Sequence, residues 1–186
     1  MPDPMAPGAK TKYLDTSAPL TESIGELTAE QWAGQSACPG WSRADVVLHL
    51  IDTQREFFAR HGMRLGPPPD AGNPAAAWRD HRGNVADLLS DPDVAGLRFE
   101  GWFGPTSVGS TLNDFYGFDM LVHGWDILAG TGADRVFSDS EMDELDAAIA
   151  GFGDQLYTDG ICQGPLAAPA NADRQTRILA QLGRRG

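Results

Sequence analysis

Two of the four histidines in this 186-residue chain, His49 and His123, sit where metal chemistry is possible. Asp119 lies four residues before His123, in a segment where Leu112, Phe115, Phe118 and Val122 recur at helical spacing. Four residues span about 6 Å of helix rise, so the carboxylate and the imidazole share one face. That face also carries Leu112 and Phe115 and is expected to point inward. His49, three residues after Val46 and one before Leu50, lies on the apolar side of another helical segment. A carboxylate sent into a helical core is costly unless something neutralises it. A divalent cation held by His49, Asp119 and His123 would do so, and helical bundles build metal sites from facing side chains in this way. A metal-free Asp119–His123 hydrogen-bonded pair fits the same spacing, which therefore does not choose between the two.

Each of these histidines is followed at +3 by an acid, Asp52 and Asp126, which could accept the ring N–H that a metal leaves free. His61, beside Gly62, and His81, within Arg79-Asp80-His81-Arg82, read as solvated. Cys38 precedes a helix start, a position that can lower a thiol pKa, but it reads as a small buried residue in a turn. Trp32, Trp41, Trp78, Trp102 and Trp125 read as core and loop anchors. The chain has no Gly-x-Ser-x-Gly elbow, and Gly101 to Gly109 are not spaced as a phosphate loop.

The elements that must position these residues are well punctuated. A first helix is expected over about 13–27, with Pro19 disturbing it or marking its true start, and an extra turn over 28–32. Ser42 after Cys38-Pro39-Gly40-Trp41 is a natural N-cap with Asp45 three positions later, so a helix to about Arg60 follows. Pro67-Pro68-Pro69 breaks the chain, and Asn73-Pro74 restarts it as cap and first-turn proline, leading to Ser90. The glycine-rich stretch 94–108 predicts an irregular hairpin or loop. An amphipathic helix over 111–129, a last long helix from the Ser138–Glu141 capping box to about Leu156, and a small helix over 172–182 complete the list. Four or five helices with one interrupted crossover predict an all-α antiparallel bundle. A single domain is expected: a frayed 1–12, a helical bundle over 13–165 and a polar tail over 166–186.

Composition narrows the partners. With 14 Lys+Arg against 26 Asp+Glu and a net charge of −12, neither a nucleic-acid backbone nor an anionic membrane is an expected partner. Neither a signal peptide nor a spanning segment is evident. Cys38 and Cys162 are in no metal or redox spacing, which predicts a reduced, cytoplasmic protein without a disulfide framework.

Two segments, Cys-Pro-Gly-Trp-Ser-Arg-Ala-Asp-Val-Val-Leu-His-Leu at 38–50 and Asp-Met-Leu-Val-His-Gly-Trp-Asp-Ile-Leu-Ala-Gly-Thr-Gly at 119–132, resemble the signatures of a known family. It is the mycothiol-dependent maleylpyruvate isomerase-like branch of the DinB-like metalloproteins, four-helix bundles of actinobacterial type. The resemblance implies a divalent metal, usually zinc with nickel or another ion as alternatives, held by His49, Asp119 and His123. The isomerase itself has Glu where this chain has Asp119, which is one methylene shorter. Three protein ligands leave coordination positions open, as in catalytic zinc sites. The implied chemistry is activation of a mycothiol-type low-molecular-weight thiol for isomerisation of, or transfer to, a small electrophilic substrate. Tyr116 and Asp126 are the candidates for proton handling. A non-catalytic metal-containing bundle that binds a small molecule or a protein, and a metal-dependent hydrolase, are the alternative readings.

Overall fold

The computed structural model describes residues 8–158 and 161–186. The chain divides into two compact units, Met1–Asp134 and Arg135–Gly186. The first seven residues of the expected frayed terminus lie outside the described residues.

The first unit is a four-helix bundle. Its long helices are α1 (Ala9–Ile24), α3 (Arg43–Arg60), α4 (Pro74–Leu88) and α6 (Val108–Leu128), joined through the short helices α2 (Ala29–Ala33) and α5 (Pro92–Gly96). α1 and α3 each pack against both α4 and α6, so the four helices form a closed ring. Tyr13, Leu20 and Ile24 from α1 meet Val46, Leu50 and Phe58 from α3, Trp78 and Val85 from α4, and Leu112 and Met120 from α6. Strands β1 (Arg98–Gly101) and β2 (Gly104–Ser107) form the expected hairpin, pairing Arg98 with Ser107 and Gly101 with Gly104.

Local chemistry sets the helix ends. Ser42 and Asp45 form the expected reciprocal capping box, and the hydrogen bonds pull the Asp45 carboxyl below its usual pKa. Asn73 caps α4 with Pro74 in its first turn. α6 starts at Val108, three residues before its expected start, because the Ser107 hydroxyl accepts from the Ser110 N–H. α1 begins at Ala9 and runs through Pro19. An interior proline costs about 3 kcal/mol; here Tyr13 and Ser17 before it and Leu20 and Ile24 after it all share the buried face.

Two expectations about side chains are corrected. α6 is not one-faced: it is buried on nearly all sides, whereas Phe115, expected inward, is 37% exposed. His81, expected to be solvated, is completely buried. Its Nε2–H donates to Gln54 Oε1 at 3.0 Å, and the Tyr13 hydroxyl donates to the same oxygen at 2.9 Å. One buried acceptor on α3 thereby ties α1 and α4 together. A neighbouring link runs from Arg82, whose guanidinium donates to Ser17 Oγ and to the Leu14 carbonyl.

The second unit contains α7 (Asp139–Phe152), a 3-10 turn (Gly153–Tyr157) and α8 (Arg174–Gln181). Ser138 and Glu141 form the expected box at the start of α7. The helix stops at Phe152, short of Leu156, because Gly153 turns the chain with a φ of 53°. Arg174 pairs with Asp143 and Asp146, fastening α8 to α7 over buried Leu145, Ile178 and Leu179.

Candidate metal centre

His49 is presented by α3, and Asp119 and His123 by successive turns of α6. The packing of α3 on α6 brings the two imidazoles together, ring centroids 5.3 Å apart and planes at 81°. One donor atom from each of His49, Asp119 and His123 lies within 4.8 Å of the others. His123 Nε2 is 3.3 Å from Asp119 Oδ1, and the two side chains are 12% and 23% exposed. The spacing on α6 thus yields the expected shared face.

On the other side of the ring, His123 Nδ1 lies 2.9 Å from Oδ2 of Asp126, whose side chain is fully buried. Asp126 therefore holds His123 in the way its +3 position suggested. Asp52 is exposed and reaches His49 only as a nearby charge. Tyr116, one turn before Asp119, donates its hydroxyl to the Thr53 carbonyl at 3.2 Å. Burial, reinforced by the Asp119 charge, pushes its phenol above the ordinary range, so at neutral pH the hydroxyl keeps its proton.

The electrostatics divide the two histidines. Burial lowers the His49 pKa, with Asp119 opposing and His123 adding to the depression. Burial also works against charge on His123, yet Asp119, Asp126 and Cys38 outweigh it and push the ring up to about 10. The raised pKa favours the charged ring, which lies between the Asp119 and Asp126 carboxylates. On the Nε2 side of the ring, Asp119 and the His49 imidazole offer further donors that suit a divalent ion. The donor set, two nitrogens and one oxygen, is of the kind that zinc and neighbouring transition metals take.

Two residues at this centre escaped the sequence reading as site residues. The Trp41 ring packs on His49, centroids 5.0 Å apart. Cys38 Sγ lies 3.3 Å from Asp126 Oδ2 and 3.8 Å from His123 Nδ1. The turn 38–41 announced itself through Pro39-Gly40, and Gly40 takes a φ of 80°. Nothing local signals that it folds onto a residue 88 positions away.

Arg43 completes the arrangement. Its Nε donates to the Ile127 carbonyl at 2.7 Å, one Nη to Ala129 O at 3.0 Å and the other to Gln31 O at 3.2 Å. A cation from the first turn of α3 thus satisfies carbonyls at the C-terminus of α6, where positive charge is favoured.

The model of the mycothiol maleylpyruvate isomerase N-terminal domain matches residues 14–128, a span that includes His49, Asp119 and His123. Two uncharacterized proteins of Mycobacterium tuberculosis, one from strain CDC 1551 / Oshkosh and one from strain H37Rv, are each 26% identical over 140 residues. Each match covers 62% of this chain and 53% of the relative, so the chain spans about half the length of the curated relatives it matches. No solved structure matches significantly. Among the described residues no helix is long and apolar enough to cross a membrane. With the match running through the bundle and its clustered donors, the chain belongs to the mycothiol maleylpyruvate isomerase N-terminal domain family.

Proposed function

We propose that this protein is a divalent-metal-dependent enzyme that uses a mycothiol-type thiol to isomerise, or to add to, a small electrophilic substrate. The observation that carries this reading is the convergence of one donor atom each from His49, Asp119 and His123 within 4.8 Å, inside the family-matched span. A zinc ion held by these residues would supply Lewis acidity, favouring the thiolate of a bound thiol over its thiol form.

The chain's own residues account for the rest. Asp126 accepts the Nδ1–H of His123, fixing the tautomer that turns Nε2 toward Asp119 and the metal position. Trp41 lies against His49 and restricts its ring. In this reading the Tyr116 hydroxyl, which donates to the Thr53 carbonyl one turn from Asp119, would turn its proton from that carbonyl to the substrate as charge develops. In this reading the cosubstrate is the nucleophile, so the reaction does not draw on the Cys38 thiol, whose Sγ lies 3.3 Å from Asp126 Oδ2.

The test is thiol-dependent consumption of an electrophile by zinc-loaded protein, followed with a haloalkyl bimane and with maleylpyruvate, each with a mycothiol-type thiol. Consumption that needs both thiol and metal, and is lost in His49→Ala and His123→Ala while both variants stay folded, supports the proposal. Equal rates in the wild type and these variants refute it. Bound zinc with neither reaction would favour a non-catalytic metal-containing bundle.

A further inference from the structure

A second set of donors stands behind the His123 ring. Cys38 Sγ, Asp126 Oδ2 and His123 Nδ1 are separated by 3.3 Å (S to O), 2.9 Å (N to O) and 3.8 Å (S to N). A tetrahedral ion of zinc's size, with bonds of about 2.3 Å to sulfur and about 2.0 Å to nitrogen and oxygen, needs edges of roughly 3.3–3.5 Å between its ligands. The three atoms stand within about 0.4 Å of those separations, and a larger ion such as Cd²⁺ needs them to spread further, which Cys38, half-buried on its turn, can supply. Asp126 is fully buried and cannot turn away to solvent, whereas Cys38 is half-buried beside exposed Pro39 and Gly40, which leaves a way in.

We propose that Cys38, Asp126 and His123 Nδ1 form a second, inhibitory site for a thiophilic divalent ion such as Cd²⁺, filled in competition with the His49–Asp119–His123 centre. The sulfur donor selects soft ions over the harder ions that an N/O set accepts. On binding, the Cys38 thiol gives its proton to water and forms the sulfur–metal bond, with no change in oxidation state. A neutral imidazole has one lone pair and one N–H. When Nδ1 takes the ion, the ring hydrogen resides on Nε2, where Asp119 Oδ1 accepts it, and Nε2 has nothing left to offer the first centre. Competition rests on the metal reading given under Proposed function; the Cys38 cluster itself does not.

The experiment is a Cd²⁺ titration of the zinc-loaded full chain. A thiolate-to-cadmium charge-transfer band should appear and saturate near one equivalent, while zinc is released to a chromophoric chelator. Peptide mass mapping should find Cys38, but not Cys162, shielded from iodoacetamide. His49→Ala, which disables only the first centre, should keep the band. Cys38→Ser should lose it and need roughly tenfold more Cd²⁺ to expel zinc, an effect of about 1.4 kcal/mol. Alkylation of wild-type Cys38 at the same rate with and without Cd²⁺, or a band persisting in Cys38→Ser, would overturn the site. Shielded Cys38 with zinc fully retained would overturn the competition. A chain that takes up no zinc yet gives the cadmium band supports the Cys38 site and counts against the proposed function instead.

Discussion

His81 makes the bundle sensitive to acid. The ring is completely buried, its Nε2–H is committed to Gln54 Oε1, and its Nδ1 finds no hydrogen-bond partner among the described residues. A proton arriving at Nδ1 would place a charge in the core with nothing to receive it. Burial, with Arg55 adding repulsion, accordingly depresses the pKa to about 3. The unfolded chain binds that proton near pH 6.5 and the folded chain does not until about pH 3. The stabilising contribution of the neutral ring is therefore complete above about pH 6.5 and is lost as pH falls toward about 3. Between those limits the loss is about 1.4 kcal/mol per pH unit, or close to 3 kcal/mol on going from about pH 7.5 to about pH 4.5. The measurement is urea unfolding at several pH values with a chelator present, for the wild type and His81→Leu. The substitution shifts stability by a constant, so only the difference in slope matters. His49 and His123 titrate in both proteins and cancel. Wild-type stability should fall about 3 kcal/mol further than that of the variant over this range. Parallel profiles, within about 0.5 kcal/mol, would refute a neutral His81 with an unpartnered Nδ1 in the folded state.

Other expectations follow from single contacts. Arg43→Ala should destabilise the first unit by about 2–4 kcal/mol, since it strips three carbonyls of a charged donor; chemical denaturation reads this, and a loss below about 1 kcal/mol would contradict it. Gly109→Ala should cost about 1–3 kcal/mol, because its Cβ would stand 2.8 Å from Ala9 Cβ and 3.0 Å from the Ala95 carbonyl. Gly83→Ala, on an open helical face of α4 with nothing within 4 Å, should instead stabilise by about 0.5–1 kcal/mol. Melting temperatures moving in the same direction for the two glycine variants would refute the packing argument.

What the sequence made legible was mostly what neighbours along the chain decide. The Ser42–Asp45 and Ser138–Glu141 boxes, the Asn73-Pro74 start and the shared face of Asp119 and His123 are interactions over three or four residues, and all are present. Boundaries slipped where a weaker local signal won, as with Ser107 capping α6 ahead of Thr111. Partners brought by packing were not legible. His81 sits among Arg79, Asp80 and Arg82 and reads as polar surface, but its partner Gln54 lies 27 residues earlier. Phe115 matches the apolar period of α6 yet ends up partly exposed, because a helix buried on most sides gives its period little to distinguish. Cys38 was read as a small residue buried in a turn, and its approach to Asp126 is visible only in the folded chain.

The segment before α3 explains how two helices from distant parts of the chain hold imidazoles at a fixed separation. Arg43 binds the carbonyl end of α6, the Ala37 N–H donates to the Asp126 carbonyl at 3.0 Å, Cys38 approaches the Asp126 carboxylate, and Trp41 packs on His49. These contacts fall within seven residues, and all reach either the end of α6 that carries His123 or the His49 ring itself. Sliding α3 along α6 by one residue would move His49 by about 1.5 Å, enough to spoil coordination that tolerates a few tenths of an ångström. Such a slide would have to break the Arg43 and Ala37 hydrogen bonds together. Residues 37–43 thus act on the centre through register, and Asp126 through its hydrogen bond to the His123 ring. The three candidate donors alone would not explain why a turn so far from Asp119 in sequence belongs to the same centre.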